Sequence, residues 1–303
     1  MSLFFLINGC LWARGGNTFG QLGLEDVVSR PNFEKVPVEN CLAIAGGGRK
    51  SLFLDQDHQL WTCGSTVDGR IGCIFSTYKD VFTKVEVQRF VAISYGQYHS
   101  LAIDVEGAIW ICDNSIYEQL GFRKVSLANT CSSRFYQISC GRRYSAALDQ
   151  DGYLWAWGSN NYGQFGMDNF TRYVHPVKVF DQKIVAVSCG DWHTVVIDEE
   201  GCIWTCGVGS YGQLGHGSDI KELTSFHKIL SNQKFVAISC GNCHTAAIDT
   251  EGNIWSWGWN CYGQLGLGHT KDKYSLTLLT PPLANQTFVA ISCIEARTIA
   301  LDD

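Results

Sequence analysis

An all-β fold made of repeated four-stranded antiparallel sheets is predicted by three observations. Tryptophans recur at Trp12, Trp61, Trp110, Trp155, Trp204 and Trp255, with separations by subtraction of 49, 49, 45, 49 and 51 residues. Short apolar runs such as Phe235-Val-Ala-Ile-Ser-Cys240 and His244-Thr-Ala-Ala-Ile-Asp249 recur in the same phase and suit strands. No copy spaces its apolar residues by three and four, as an amphipathic helix would. Repeats of about 50 residues, each holding four antiparallel strands, are the blades of a β-propeller.

Each element has its own signal. The first strand, Phe235 to Cys240, alternates in size and is expected to be buried on both faces, with Val236, Ile238 and Cys240 on one side and Ala237, Ser239 and Gly241 on the other. His244 to Asp249 is the second strand and Asn253 to Gly258 the third. Between them Asp249-Thr-Glu251-Gly252 suits a tight hairpin. A weaker fourth strand falls in the variable middle, as at Pro176-Val-Lys-Val179. First and third strands occur six times and the second seven, because the chain opens on Leu3 to Leu6 and closes on Thr298 to Leu301. The expectation is one domain over residues 1–303, with six blades, seven as the alternative, and a ring closed by strands from both termini. Closure removes sheet edges that would otherwise invite aggregation.

Hydrophobic residues make up 46% of the 303 and charged ones only 17%, so the chain has core material and is not disordered. A formal charge of -6 provides no global attraction to nucleic acid or an anionic membrane. No signal peptide is expected at the N-terminus, and no run reaches the roughly 18 apolar residues of a membrane span. Of the 14 cysteines, Cys140, Cys189, Cys240 and Cys293 share one repeat position, while Cys63, Cys112 and Cys206 share another that Trp157 and Trp257 fill elsewhere. A position that accepts Cys or Trp is a packing position, and reduced thiols in an intracellular protein, cytoplasmic or nuclear, are expected.

Trp-x-x-Gly, then Asn-x-Tyr-Gly-Gln-Leu-Gly, then Ser-Cys-Gly-x-x-His-Thr stand nearly whole in Trp155 to Asp198, Trp204 to Asp249 and Trp255 to Cys293. This pattern resembles the repeat of the regulator of chromosome condensation family over essentially the whole chain. The resemblance implies a propeller, seven-bladed in the prototype, that acts on a Ran-type small GTPase as an exchange factor and binds nucleosomes, or that serves only as a protein-binding platform. Asp68-Gly-Arg-Ile-Gly72 and Tyr117-Glu-Gln-Leu-Gly121 depart from the loop motif. No repeat is long enough to hold the inserted wedge of the prototype, and no counterpart of its basic tail is expected.

Function is expected where the copies disagree. The two residues between Gly and His vary most: Gly48-Arg49, Gln97-Tyr98, Arg142-Arg143, Asp191-Trp192, Asn242-Cys243 and Glu295-Ala296. Tyr98, Arg142, Arg143, Asp191, Trp192 and Asn242 are the candidate partner-binding residues, since Trp, Tyr and Arg dominate protein interfaces. The resemblance implies that Asp191 would be the acidic contact to a GTPase. No catalytic set, cofactor site or metal cluster is visible. Cys240-Gly-Asn-Cys243-His244 matches a haem-attachment pattern, and Gly207-Val-Gly209-Ser-Tyr-Gly212 a dinucleotide fingerprint, but both fall in register with the repeat. The repeat histidines are expected to bond neighbouring backbone or Thr, and the hairpin carboxylates to cap turns. The chain reads as a monomeric, non-enzymatic docking propeller for a protein partner, with a regulator of a small GTPase as the alternative and chromatin disfavoured.

Overall fold

The structure, a computed structural model, describes residues 2–65, 78–113, 121–127, 133–279 and 286–302. Among them are 25 strands and no helix. By repeat position there are six first, seven second, six third and six fourth strands, the inventory of an all-β propeller with six copies of a four-stranded blade. The altered loops at 68–72 and 117–120 lie outside the described residues.

Two compact units divide the chain, Met1–Ile138 and Ser139–Asp303. The first unit opens with a three-stranded sheet of Ser2–Ile7, Cys10–Gly15 and Arg30–Lys35. Two four-stranded sheets follow, Cys41–Gly47 through Tyr78–Val85 and Phe90–Tyr95 through Arg123–Lys124. In the second unit, four-stranded sheets end on Tyr173–Phe180, Glu222–Lys228 and Lys273–Leu278, and Phe288–Ile294 pairs with Arg297–Asp302 alone. That seventh second strand is less buried than those at Tyr144–Asp149, His193–Asp198 and His244–Asp249, which are buried along their whole length.

The first strand departs from simple alternation. Phe235 pairs with Asp249 while Ala237 pairs with Ile248, so a β-bulge leaves Val236 without a partner. Val236 is therefore 61% exposed, and the expectation that it packs with Ile238 and Cys240 is wrong. The same bulge recurs in four other first strands, where Leu42, Val91, Val185 and Val289 are exposed in turn.

The hairpin carboxylates hold turns, and they also hold the repeat tryptophan. Asp249 Oδ1 accepts from the Glu251 and Asn253 amides at 2.9 Å each, and Oδ2 accepts from Trp255 Nε1 at 2.8 Å. The Asp–Trp bond recurs at Asp55–Trp61, Asp104–Trp110, Asp149–Trp155 and Asp198–Trp204. One buried acid thus fixes both the turn and the outward ring of its third strand.

Core clusters lie between consecutive sheets: Ala146, Leu148 and Leu154 of one copy meet Val187, Val196 and Phe226 of the next. Polar seams accompany them. The motif carbonyl of Gln213 accepts from Thr245 Oγ1 at 3.1 Å and Trp257 Nε1 at 2.9 Å of the following copy. Thr194 and Cys206 make the same approach to the Gln164 carbonyl, as Ser51 and Cys63 do to Gln21. Cys63, Cys206 and Trp257 share this kind of acceptor, each presenting an apolar body with one donor, so Cys and Trp can interchange there. Inner strands are laced by Ser139, Ser188 and Ser239, whose hydroxyls accept from the amides of Cys189, Cys240 and Cys293.

Candidate interaction surface

The variable pair sits in a turn that the repeat builds the same way each time. Gly190 N donates to the His193 carbonyl at 2.8 Å and Gly241 N to that of His244 at 2.9 Å, closing a turn in which Asp191, Trp192 and Asn242 are half-buried and Cys243 is buried. Adjacent turns are then joined, Asp191 N donating to Asn242 O and Asn242 N to Glu295 O. In the second unit, Arg142, Asp191, Trp192 and Asn242 are in this way brought to one loop face. Arg143 stands exposed in the same turn as Arg142. Tyr98, half-buried, occupies the position equivalent to Trp192 in the first unit.

Trp192 is the centre of the arrangement. The Arg142 guanidinium lies 4.9 Å from its ring centroid, and Tyr162 meets it edge-on at 5.9 Å. Arg142 Nη1 also stands 4.0 Å from Asp191 Oδ2. Burial pushes the Asp191 carboxyl up to about 6, against the pull of Arg142 and with added repulsion from Glu295. An acid whose folded pKa is raised loses stability as pH climbs from the ordinary 3.8 through about 6. Asp191→Asn is therefore expected to stabilise the protein at pH 7 by of order 2 kcal/mol and to leave it unchanged below pH 4. Denaturant melts at the two pH values check this, and an equal shift at both would deny the carboxyl its buried character.

Tyr162 was not anticipated. It is the aromatic of the Asn-x-Tyr-Gly-Gln loop, whose other members are Phe19, Tyr211 and Tyr262. Tyr211 lies 6.0 Å from Trp259, and Trp259 lies 5.3 Å from Tyr262 in an edge-to-face pair. Tyr262 is 74% exposed. The available signal was Trp259 itself, which replaces Ser159, Val208 and Gly16 of the other copies. In the first unit Arg49 stacks 4.6 Å over Phe19, a simpler version of the same meeting of loops.

The histidines below the face serve the seam. His193 Nε2 lies 3.1 Å from Thr245 Oγ1 and His244 Nε2 2.9 Å from Thr298 Oγ1, while Tyr144, in a His position, reaches Thr194 at 3.1 Å. Burial pushes His193 down to about 3 and His244 to about 4, so both rings are neutral at pH 7. Cys240 Sγ donates to Ser188 O, and burial raises the Cys243 thiol to about 12. The Cys-x-x-Cys-His set is thus taken up by packing. Among the described residues no helix is long and apolar enough to cross a membrane.

A family model described as an RCC1-like domain matches residues 10–303. The chain is similar to the serine/threonine-protein kinase Nek9 of Mus musculus, 39% identical over 87 residues that make up 28% of this chain and 9% of that protein. It therefore spans only a small part of the length of such relatives. The solved structure of human WBSCR16 superposes with a TM-score of 0.85 at 22% identity, over 97% of this chain and 81% of that one. Prp20p of Saccharomyces cerevisiae, a structure described with its binding properties to Gsp1p and histones, gives a TM-score of 0.64 at 15% identity, over 99% and 93%.

Proposed function

The chain belongs to the RCC1-like domain family, and from that premise we propose that it is a non-enzymatic interaction module that docks a protein partner on the loop face around Trp192. The observation that carries this reading is the half-exposed Trp192 ring, held between Arg142 and Tyr162 and so set in place before any partner arrives. A rigid aromatic anchor beside an arginine is the composition of an interface hot spot, and preorganisation spares the entropy of ordering it on binding. Asp191 and Asn242 complete the patch, Arg143 flanks it, and Tyr98 contributes the equivalent anchor of the first unit. The 12 described cysteines are all free thiols, which supports an intracellular setting. We take the protein to act as a monomer, without nucleic acid as a principal partner, in line with its charge of -6.

Affinity purification from the native host supplies the partner, and titration with purified protein then measures Kd. Trp192→Ala combined with Arg142→Ala is expected to weaken binding at least about 30-fold, the sum of two anchors worth over 1 kcal/mol each. Unchanged Kd would move the interface elsewhere. The alternative, a regulator of a Ran-type GTPase, draws on Asp191 in its loop and on the binding described for Prp20p. Against it, the Asp191 side chain is only 18% exposed and faces Arg142. Faster release of fluorescent GDP from such a GTPase, lost in Asp191→Ala, would replace docking by exchange as the function.

A further inference from the structure

We propose that Cys202 and Lys234 are a peroxide-dependent modification site, closing a sulfenamide cross-link between the hairpin of one copy and the entry to the next. The observation begins with the residue four places after each hairpin acid. In five copies it is Gln59, Ala108, Tyr153, Cys202 and Asn253. At Tyr153 two lysines converge on the ring, Lys178 Nζ at 3.3 Å and Lys183 Nζ at 3.6 Å from its centroid. The next copy keeps both lysines. Lys228 pairs across from Trp204 as Lys178 does from Trp155, and Lys234 precedes the first strand at Phe235 as Lys183 precedes Ile184. Only the residue between them has changed, from a ring that cations cover to a thiol they can meet.

Lys234 Nζ lies 3.2 Å from Cys202 Sγ. The two lysines differ in what else they touch. Lys228 Nζ stands 3.6 Å from Glu200 and 3.9 Å from Asp198, and its pKa is raised, first by Cys202 and then by those carboxylates. Lys228 therefore stays a cation. The oxygen and sulfur atoms of Asp198, Glu200 and Cys202 lie within 4.8 Å of one another, but that ammonium is already their counter-charge. Lys234 is exposed and pairs with no carboxylate among the described residues. Cys202 is 8% exposed, closed to large reagents and reachable by a small oxidant.

The steps balance. The Cys202 thiolate attacks hydrogen peroxide, forming S–O and breaking O–O, and one water leaves as the sulfur gives up two electrons. The unprotonated Lys234 amine then attacks the sulfenic sulfur, forming N–S and breaking S–O, and the departing hydroxide takes the amine proton as a second water. Thiol, amine and peroxide become sulfenamide and two waters. The link ties residues 32 positions apart beside the main-chain bond from Phe235 N to Gly201 O.

The test treats the full chain with a small excess of hydrogen peroxide and reads proteolytic fragments by mass spectrometry. A species about 2 Da below the sum of the Cys202 and Lys234 peptides is expected, released by dithiothreitol and more abundant at pH 8.5 than at 6.5, as a free-amine step requires. Cys202→Ser and Lys234→Arg should abolish it and Lys228→Arg should not, with unchanged circular dichroism melts showing that each variant is folded. Survival of the species in Lys234→Arg would overturn the proposal. So would a wild-type Cys202 that passes only to sulfinic acid or to a disulfide.

Discussion

Replacing Trp257 by Ala is expected to cost about 3–5 kcal/mol, the range for deleting a large buried aromatic. The side chain is 0% exposed, packs among Val195, Ile203 and Phe235, and donates Nε1 to the Gln213 carbonyl at 2.9 Å. Deletion opens a cavity between two sheets and takes one of two donors from that carbonyl. Its counterpart Trp157 supplies an internal control. Among the described residues Trp157 Nε1 is buried without a partner, so Trp157→Phe is expected to be neutral or stabilising. Trp257→Phe should instead lose about 1 kcal/mol beyond the change in packing. Urea midpoints at constant slope decide between them, and equal effects at the two sites would show that the carbonyl contributes nothing.

Gly190→Ala is expected to destabilise by about 3 kcal/mol, as an overpacked buried site does. A methyl group there would overlap the His193 ring and stand 2.8 Å from the Gly241 carbonyl of the next copy. The ring cannot yield, because it is fully buried and tethered to Thr245 at 3.1 Å. If that ring is the obstacle, His193→Ala should absorb most of the added damage. The double variant would then sit at least about 1 kcal/mol above the sum of the singles. Strict additivity, measured by the same melts, would locate the strain in the backbone instead.

How far the chain could be read in advance follows from which interactions are local. The hairpin signal Asp249-Thr-Glu-Gly and the alternating strands lie within one copy, so the strand inventory was legible, down to the surplus second strand at Arg297–Asp302. The bulge at Val236 was not, because size alternation carries no mark of where an extra residue is inserted, although an apolar side chain at that position in every copy was a clue. Arg142, Asp191 and Trp192 were singled out by variability and do come together. Tyr162 escaped for the opposite reason: as a motif residue it varied too little to be noticed, and its meeting with Trp192 spans two copies. The Asp–Trp bond was hidden in plain spacing, six residues apart in five hairpins.

The bonds that lace one copy to the next have a consequence for change over time. Thr245, Gln213, Trp257, Ser188 and His193 carry the lacing, and the hydrogen bonds that join the turns at Asp191 and Asn242 run between main-chain atoms. Side chains in those turns are thus cargo on a standard mount. A new specificity can be installed, traded between positions or discarded without renegotiating the frame, which is how a repeat array acquires an individual identity from so few letters.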